Sequence, residues 1–167
     1  YDKILEFNKL IKQNCNRLIR LINNFIDSTK LENNKVEIHK KRVNIVSITE
    51  DITMSVINFA KRQKIDVVFD AEQEELYCDI DIDQMERIML NILSNAIKYN
   101  NPNGNIDVIV KDRKEKVYID VIDSGIGIPK DRINTIFDRF ERMENKNAVI
   151  KEGSGIGLSI VKKLVDA

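Results

Sequence analysis

Apolar residues return at every seventh position at the start of the chain. Ile4, Ile11, Leu18 and Phe25 set the period, and Phe7, Cys15, Leu21 and Ile22 fill the same stripe. Asn and Lys occupy the opposite side and neither Gly nor Pro interrupts, so the spacing predicts an unbroken helix of about eight turns over residues 2–31. A seam this narrow needs partner helices, which points to a piece of a longer bundle; an ordinary helix packed on its own domain is the alternative. A polar stretch ending at Lys35 reads as a hinge, and from Val36 the period changes. Residues 36–43 read as a strand, 45–62 as a helix, and 65–70 and 76–78 as short strands.

Asp83 followed three residues later by Glu86 is an Asp form of the capping box, so a helix is expected to start there and run to Tyr99. The run Asn100-Asn101-Pro102-Asn103-Gly104 is turn chemistry. Residues 106–110 and 117–122 then read as antiparallel strands. After them come a Gly-rich loop, a short helix over 132–140, a charged segment to Glu152, a second Gly-rich loop, and a final helix from Ile156.

Composition narrows the class. With 167 residues, 43% hydrophobic and 32% charged, the chain has material for one core plus an extra element and is not a disordered sequence. Lys and Arg together number 27 and Asp and Glu 27, so no net positive field recruits nucleic acid or anionic lipid. Any anion must be bound locally. Cys15 and Cys78 match no metal-ligand or redox spacing and read as reduced thiols. A single histidine, His39, argues against a transition-metal cluster or a Ser-His-Asp arrangement, and no apolar run is long enough to span a bilayer.

Candidate chemistry lies in the second half. In the helix ending at Tyr99, Met85, Ile88, Met89, Ile92, Leu93, Ala96 and Ile97 form the buried face, while Arg87, Asn91, Asn95 and Lys98 share a flanking stripe. Each mid-helix Asn costs roughly 0.5 to 0.7 kcal/mol against Ala, so two of them on one stripe suggest a site. An Asn95 amide oxygen suits Mg²⁺, and a Lys98 ammonium one turn on suits a phosphate. In Asp123-Ser124-Gly125-Ile126-Gly127-Ile128-Pro129 the glycines permit close approach of a flat ligand, and the Asp123 carboxylate would accept from an amino group such as that of adenine. A plain turn is the competing reading. Gly153-Ser154-Gly155-Ile156-Gly157-Leu158 opens the last helix, where exposed N–H groups suit phosphate. Leu158 stands where a third glycine would be needed for the dinucleotide or protein-kinase loop, and no P-loop occurs. The charged stretch between the loops, with Arg139 and Arg142, reads either as a solvated loop or as a lid that brings Arg142 to a terminal phosphate.

Four segments in this order, NILSNAIKY (91–99), DSGIGIP (123–129), FDRF (137–140) and GSGIGLSIV (153–161), resemble the catalytic domain of sensor histidine kinases. That domain's superfamily also holds gyrase-type topoisomerases, the large heat-shock chaperones and mismatch-repair ATPases. The resemblance covers residues 36–167, while residues 1–32, with LIRLINNFIDSTKLE, look like the second helix of the dimerisation and phosphoacceptor hairpin, and 33–35 is the hinge between the two. It implies an α+β fold: a two-layer sandwich of a mixed sheet of about five strands with three helices on one face, preceded by one long helix.

Site roles follow from the same resemblance. ATP and Mg²⁺ are the implied ligands. Asn95 would hold Mg²⁺, with Asn91 beside it. Lys98 and Tyr99 would meet the phosphates and nucleotide, and Asp123 the adenine amino group. Gly125, Gly127, Ile128, Phe140 and Leu158 would shape the pocket, and Gly153, Gly155 and Gly157 would hinge the lid and line the phosphates. Asn91, Lys98 and Arg142 would serve catalysis, Arg142 at the terminal phosphate. In the related ATPases a glutamate occupies the place of Asn91 and activates water, so Asn91 favours transfer to a histidine over hydrolysis.

The family's acceptor motif has no match here, and His39, followed by Lys40-Lys41-Arg42, reads as a bystander. The acceptor histidine would therefore stand on another segment or chain. A response regulator, a homodimeric parent and a cytoplasmic location follow by resemblance, with a membrane tether in the parent left open. A nucleotide-binding module without chemistry, or an ATPase of the same superfamily, are the alternatives.

Overall fold

The structure, a computed structural model, describes residues 37–138 and 155–167. The expected heptad helix (1–32) and hinge (33–35) lie outside these residues, as do Arg139, Phe140, Arg142 and Gly153. The elements run β1 (Lys41–Asn44), α1 (Ile45–Arg62), β2 (Asp66–Ala71), β3 (Tyr77–Ile80), α2 (Ile82–Lys98), β4 (Asn105–Asp112), β5 (Val117–Asp123) and α3 (Gly157–Asp166).

Alternation along β4 sends Ile106, Val108 and Val110 to one face, all buried, and this row is the floor of the core. Parallel β2 flanks it in the register Val67↔Ile106, Phe69↔Val108 and Ala71↔Val110. Antiparallel β5 flanks the other side, with Val121 opposite Val108. Helices α1 and α2 close the core from above through Ile52, Ala60, Met89, Leu93, Ala96 and Ile97. Helix α3 leans on α2, with Ile156, Ile160 and Leu164 packed against Ile88.

The architecture is α+β with three helices among the described residues, but the strands do not form one sheet. β2, β4 and β5 make a three-stranded mixed sheet, and β1 and β3 a separate antiparallel pair. At the end of β2 Glu72 donates its N–H to the Val110 carbonyl at 3.0 Å, and the chain bends over residues 72–74 before β3 begins.

Helix α1 starts where expected. Asn44 Oδ1 accepts from the N–H groups of Val46 and Leu76, both at 3.1 Å, which caps the helix and fixes the strand pair beneath it. The fully buried Thr49 and Thr53 return their hydroxyls to the carbonyls four residues earlier at 2.7 Å, so neither leaves a polar atom stranded.

Three boundaries differ from expectation. The strand read over 36–43 is confined to Lys41–Asn44, because only these residues find partners on β3; His39 lies outside it, its N–H donating to Asp81 Oδ2 at 2.8 Å. Helix α2 begins at Ile82, not at Asp83. Its cap is Asp81, whose Oδ1 accepts from Gln84 N–H at 3.1 Å, so the capping register lies two residues upstream of the Asp83–Glu86 pair. The helix read over 132–140 is, through residue 138, a series of turns in which Thr135 and Ile136 both donate to the Arg132 carbonyl.

Candidate nucleotide site

The asparagine stripe of α2 lies at the edge of the core, as its periodicity implies. Asn91 is half-buried and its Nδ2 donates to the Arg87 carbonyl at 2.8 Å, so its amide orientation is fixed and its Oδ1 is turned outward. Asn95, one turn on, is also half-buried, and among the described residues its side-chain amide has no hydrogen-bond partner. An amide oxygen in that position suits a hard cation such as Mg²⁺. The Lys98 ammonium donates to the Tyr99 hydroxyl at 2.9 Å and sits 4.5 Å from the centre of its ring.

The loop after β5 is built against the C-terminal end of this helix. Ile126 donates its N–H to the Tyr99 carbonyl at 3.1 Å, joining loop and helix. Gly125 donates to Asp123 Oδ1 at 2.8 Å, which restrains the carboxylate through that oxygen. A methyl group on Gly125 would lie 2.5 Å from the Tyr99 carbonyl oxygen and 2.6 Å from Asp123 Oδ1, so only glycine fits between them. Gly127 has φ +68° and open space around it, and Ile126 and Ile128 are about half exposed, at 51% and 48%.

The second glycine segment meets the same helix further back. Gly155 has φ +70°, and Ile156 caps α3 without a side-chain hydrogen bond, leaving the first-turn N–H groups unclaimed by a cap. A methyl on Gly157 would lie 2.7 Å from Asn91 Oδ1. Leu158 is half-buried in the first turn.

Asn91, Asn95, Lys98, Tyr99, Asp123, Gly125 and Gly157 are thus brought together along one helix. Asn91 and Tyr99 stand eight residues apart, about 12 Å along its axis. The glycine segment after β5 approaches it at its C-terminal end and the second segment at mid-helix, beside Asn91. Sequence reasoning missed Asn100 and Ser124. Asn100 is only 4% exposed and bonds to Ser124 across the loop, but in the sequence it is one Asn of a turn-forming run. Among the described residues no cluster of His, Cys, Asp and Glu forms a metal site, and no helix is long and apolar enough to cross a membrane.

Comparison with known proteins gives a family and a fold. Residues 80–167 match the family described as histidine kinase-, DNA gyrase B-, and HSP90-like ATPase. The histidine kinase P4 of Formosa agariphila is 34% identical over 169 residues, covering 99% of this chain and 12% of that protein. The sensor histidine kinase WalK of Bacillus subtilis is 31% identical over 161 residues, covering 95% of this chain and 26% of that protein. This chain therefore spans 12% and 26% of the length of these two relatives. Among solved structures, full-length ShkA in complex with AMPPNP superposes with a TM-score of 0.80 at 22% identity, over 90% of this chain and 31% of that one, a likeness of fold.

Proposed function

The chain belongs to the family of histidine kinase-, DNA gyrase B- and HSP90-like ATPases, and on that premise we propose that it is the ATP-binding catalytic part of a sensor histidine kinase. It would move the γ-phosphate of ATP to a histidine carried on another segment or chain. One observation carries the reading: α2 meets the Asp123 loop at its C-terminal end and the N-terminus of α3 at Asn91, which leaves a strip about as long as an extended nucleoside triphosphate between them.

Each residue then has a task. Asp123 Oδ2 accepts from the adenine amino group, and its Oδ1 is already held by Gly125. A guanine carbonyl in the same place would be repelled. Ile128, Phe140 and Leu158 supply apolar flanks. Tyr99 and Lys98 meet the nucleotide and its phosphates, the ammonium exchanging its Tyr99 hydroxyl for phosphate oxygens. Gly153, Gly155 and Gly157 bring backbone N–H groups to the phosphates, and Arg142 reaches the terminal one. Asn95, with Asn91 near, would hold Mg²⁺, which supplies neutralisation of the charge on the phosphate oxygens. Asn91 is an amide and takes no proton from water. A neutral imidazole needs no such base, so positioning and charge neutralisation suffice for transfer.

Beyond the site, residues 1–32 are assigned to the second helix of a dimerisation hairpin, 33–35 to a hinge, and 36–167 to the ATP-binding domain. In this reading the whole protein works in the cytoplasm, tethered to a membrane or not, as a homodimer that signals to a response regulator. The test is transfer itself. Mixing this chain with a hairpin carrying an acceptor histidine, Mg²⁺ and γ-labelled ATP is expected to give acid-labile phosphoprotein. ATP binding without transfer to any of several hairpins would leave a binding module instead, and steady phosphate release lost in Asn91→Ala would indicate a hydrolase.

A further inference from the structure

A polar cluster where α2 ends, with Asn100 buried and Ser124, Asn101 and Asn105 exposed, has no part in the steps above. Asn100 donates from Nδ2 to the Asn105 carbonyl at 3.0 Å, and its Oδ1 accepts from Asn101 N–H at 2.9 Å and from the Ser124 hydroxyl at 3.1 Å. Ser124 Oγ in turn accepts from Asn105 N–H at 2.9 Å. The Ser124 N–H donates to the Asn105 carbonyl at 3.1 Å, and Asn101 Nδ2 donates to the Ser124 carbonyl at 2.8 Å. Every polar atom of Ser124 is therefore engaged, by residues some twenty positions distant, and Ser124 stands between Asp123 and Gly125. There is no slack: a methyl on Gly104 would lie 2.2 Å from Asn100 Oδ1 and 2.6 Å from Ser124 Oγ.

A turn needs only local hydrogen bonds, whereas this network ties the loop after β5 to the end of α2 and the start of β4. We propose that Asn100 and Ser124 are positioning residues that set base specificity, a latch holding the Asp123 carboxylate where it reaches adenine and not guanine. The inference rests on the ATP-site reading above. Guanine offers a carboxylate its own N1–H and N2 amine, one ring position away from the adenine amine. A carboxylate able to shift along the pocket serves either base; one that is latched serves only adenine.

The test measures ATP and GTP affinities of the 167-residue chain by competition against a fluorescent ATP analogue. Ser124→Ala is expected to weaken ATP binding about tenfold without weakening GTP, so that the ATP-to-GTP preference falls about tenfold. Gly104→Ala, which disturbs the latch from the other side, should do the same, and Ser124→Thr, which keeps the hydroxyl, should restore the preference. Mg²⁺-dependent tightening should be unchanged in all three. An unaltered preference, or equal weakening of both nucleotides, overturns the proposal. Unfolding of both Ser124→Ala and Gly104→Ala, seen by circular dichroism, assigns the cluster to stability alone and overturns it too. Asp123→Asn separates the two levels: if it weakens ATP while Ser124→Ala leaves the preference intact, only the latch fails, and if it leaves ATP binding unchanged, the site reading fails and the latch with it.

Discussion

In the proposed site Asp123 meets the base and Asn95, midway along the strip, the metal, so their substitutions should separate. Asp123→Asn removes a charge-assisted hydrogen bond worth about 1.5 to 3 kcal/mol, and ATP binding measured by calorimetry should weaken roughly 10- to 150-fold. Asn95→Ala should leave metal-free binding nearly intact and abolish its tightening by Mg²⁺; a variant that still responds fully to the metal would remove Asn95 from that role. Leu93, with 0% exposure under the strip, is a different case: Leu93→Ala should cost about 2 to 5 kcal/mol in urea unfolding through the cavity it leaves. The placement of Asp123 at a strand end, of Asn95 on the flanking helical stripe and of Leu93 in the core was legible in the sequence because each departs from, or fits, a local pattern. A carboxylate before two glycines, an Asn inside a helix and an apolar residue at core spacing all carry their meaning locally. Asn100 does not. An Asn that supports a turn and an Asn that is buried in a network have the same neighbours in the chain, and only the approach of Ser124 distinguishes them.

Among the elements, α2 shows why boundaries are harder to read than faces. Asp81 precedes Gln84 and Asp83 precedes Glu86 at the same spacing, so the sequence offers two capping registers. Tertiary structure chooses, because Asp81 also receives the His39 N–H. The hydrogen bonds from His39 and then Gln84 hold the Asp81 carboxyl below its ordinary value of 3.8. In the unfolded chain it titrates normally, so it contributes stability that is complete above that ordinary value and is lost as pH falls through the depressed one. Thermal melts followed downward from pH 5 should therefore show a shallower acid loss in Asp81→Asn than in the parent chain. Asp81→Ala, which also deletes the cap, should cost about 1 kcal/mol at neutral pH. The expected helix over 132–140 failed for a related reason. Its composition permits a helix, but turn bonds centred on Arg132 take the backbone first. β1 is short because strand length is set by the partner, and β3 is itself only four residues long.

Taken whole, the domain could be read from its sequence as a layer of helices over strands, since periods of two and of 3.6 alternate along it. How the strands divide could not, because whether β1 and β3 join the main sheet or pair with each other is decided by contacts between segments distant in the chain. Both flanks of the nucleotide strip hang on α2, so a bound nucleotide should stiffen the molecule along that helix. At a hundred times its dissociation constant, MgATP should add about 2.7 kcal/mol to stability, visible as a rise in Tm. Amide exchange should slow most at residues 99–105 and 123–126. Equal slowing everywhere would speak against a site at this end. The Asp81 carboxylate has one more consequence at this scale. One of its oxygens accepts from the backbone at His39 and the other from the first turn of α2, so a single carboxylate joins the approach to β1 with the start of the asparagine-bearing helix.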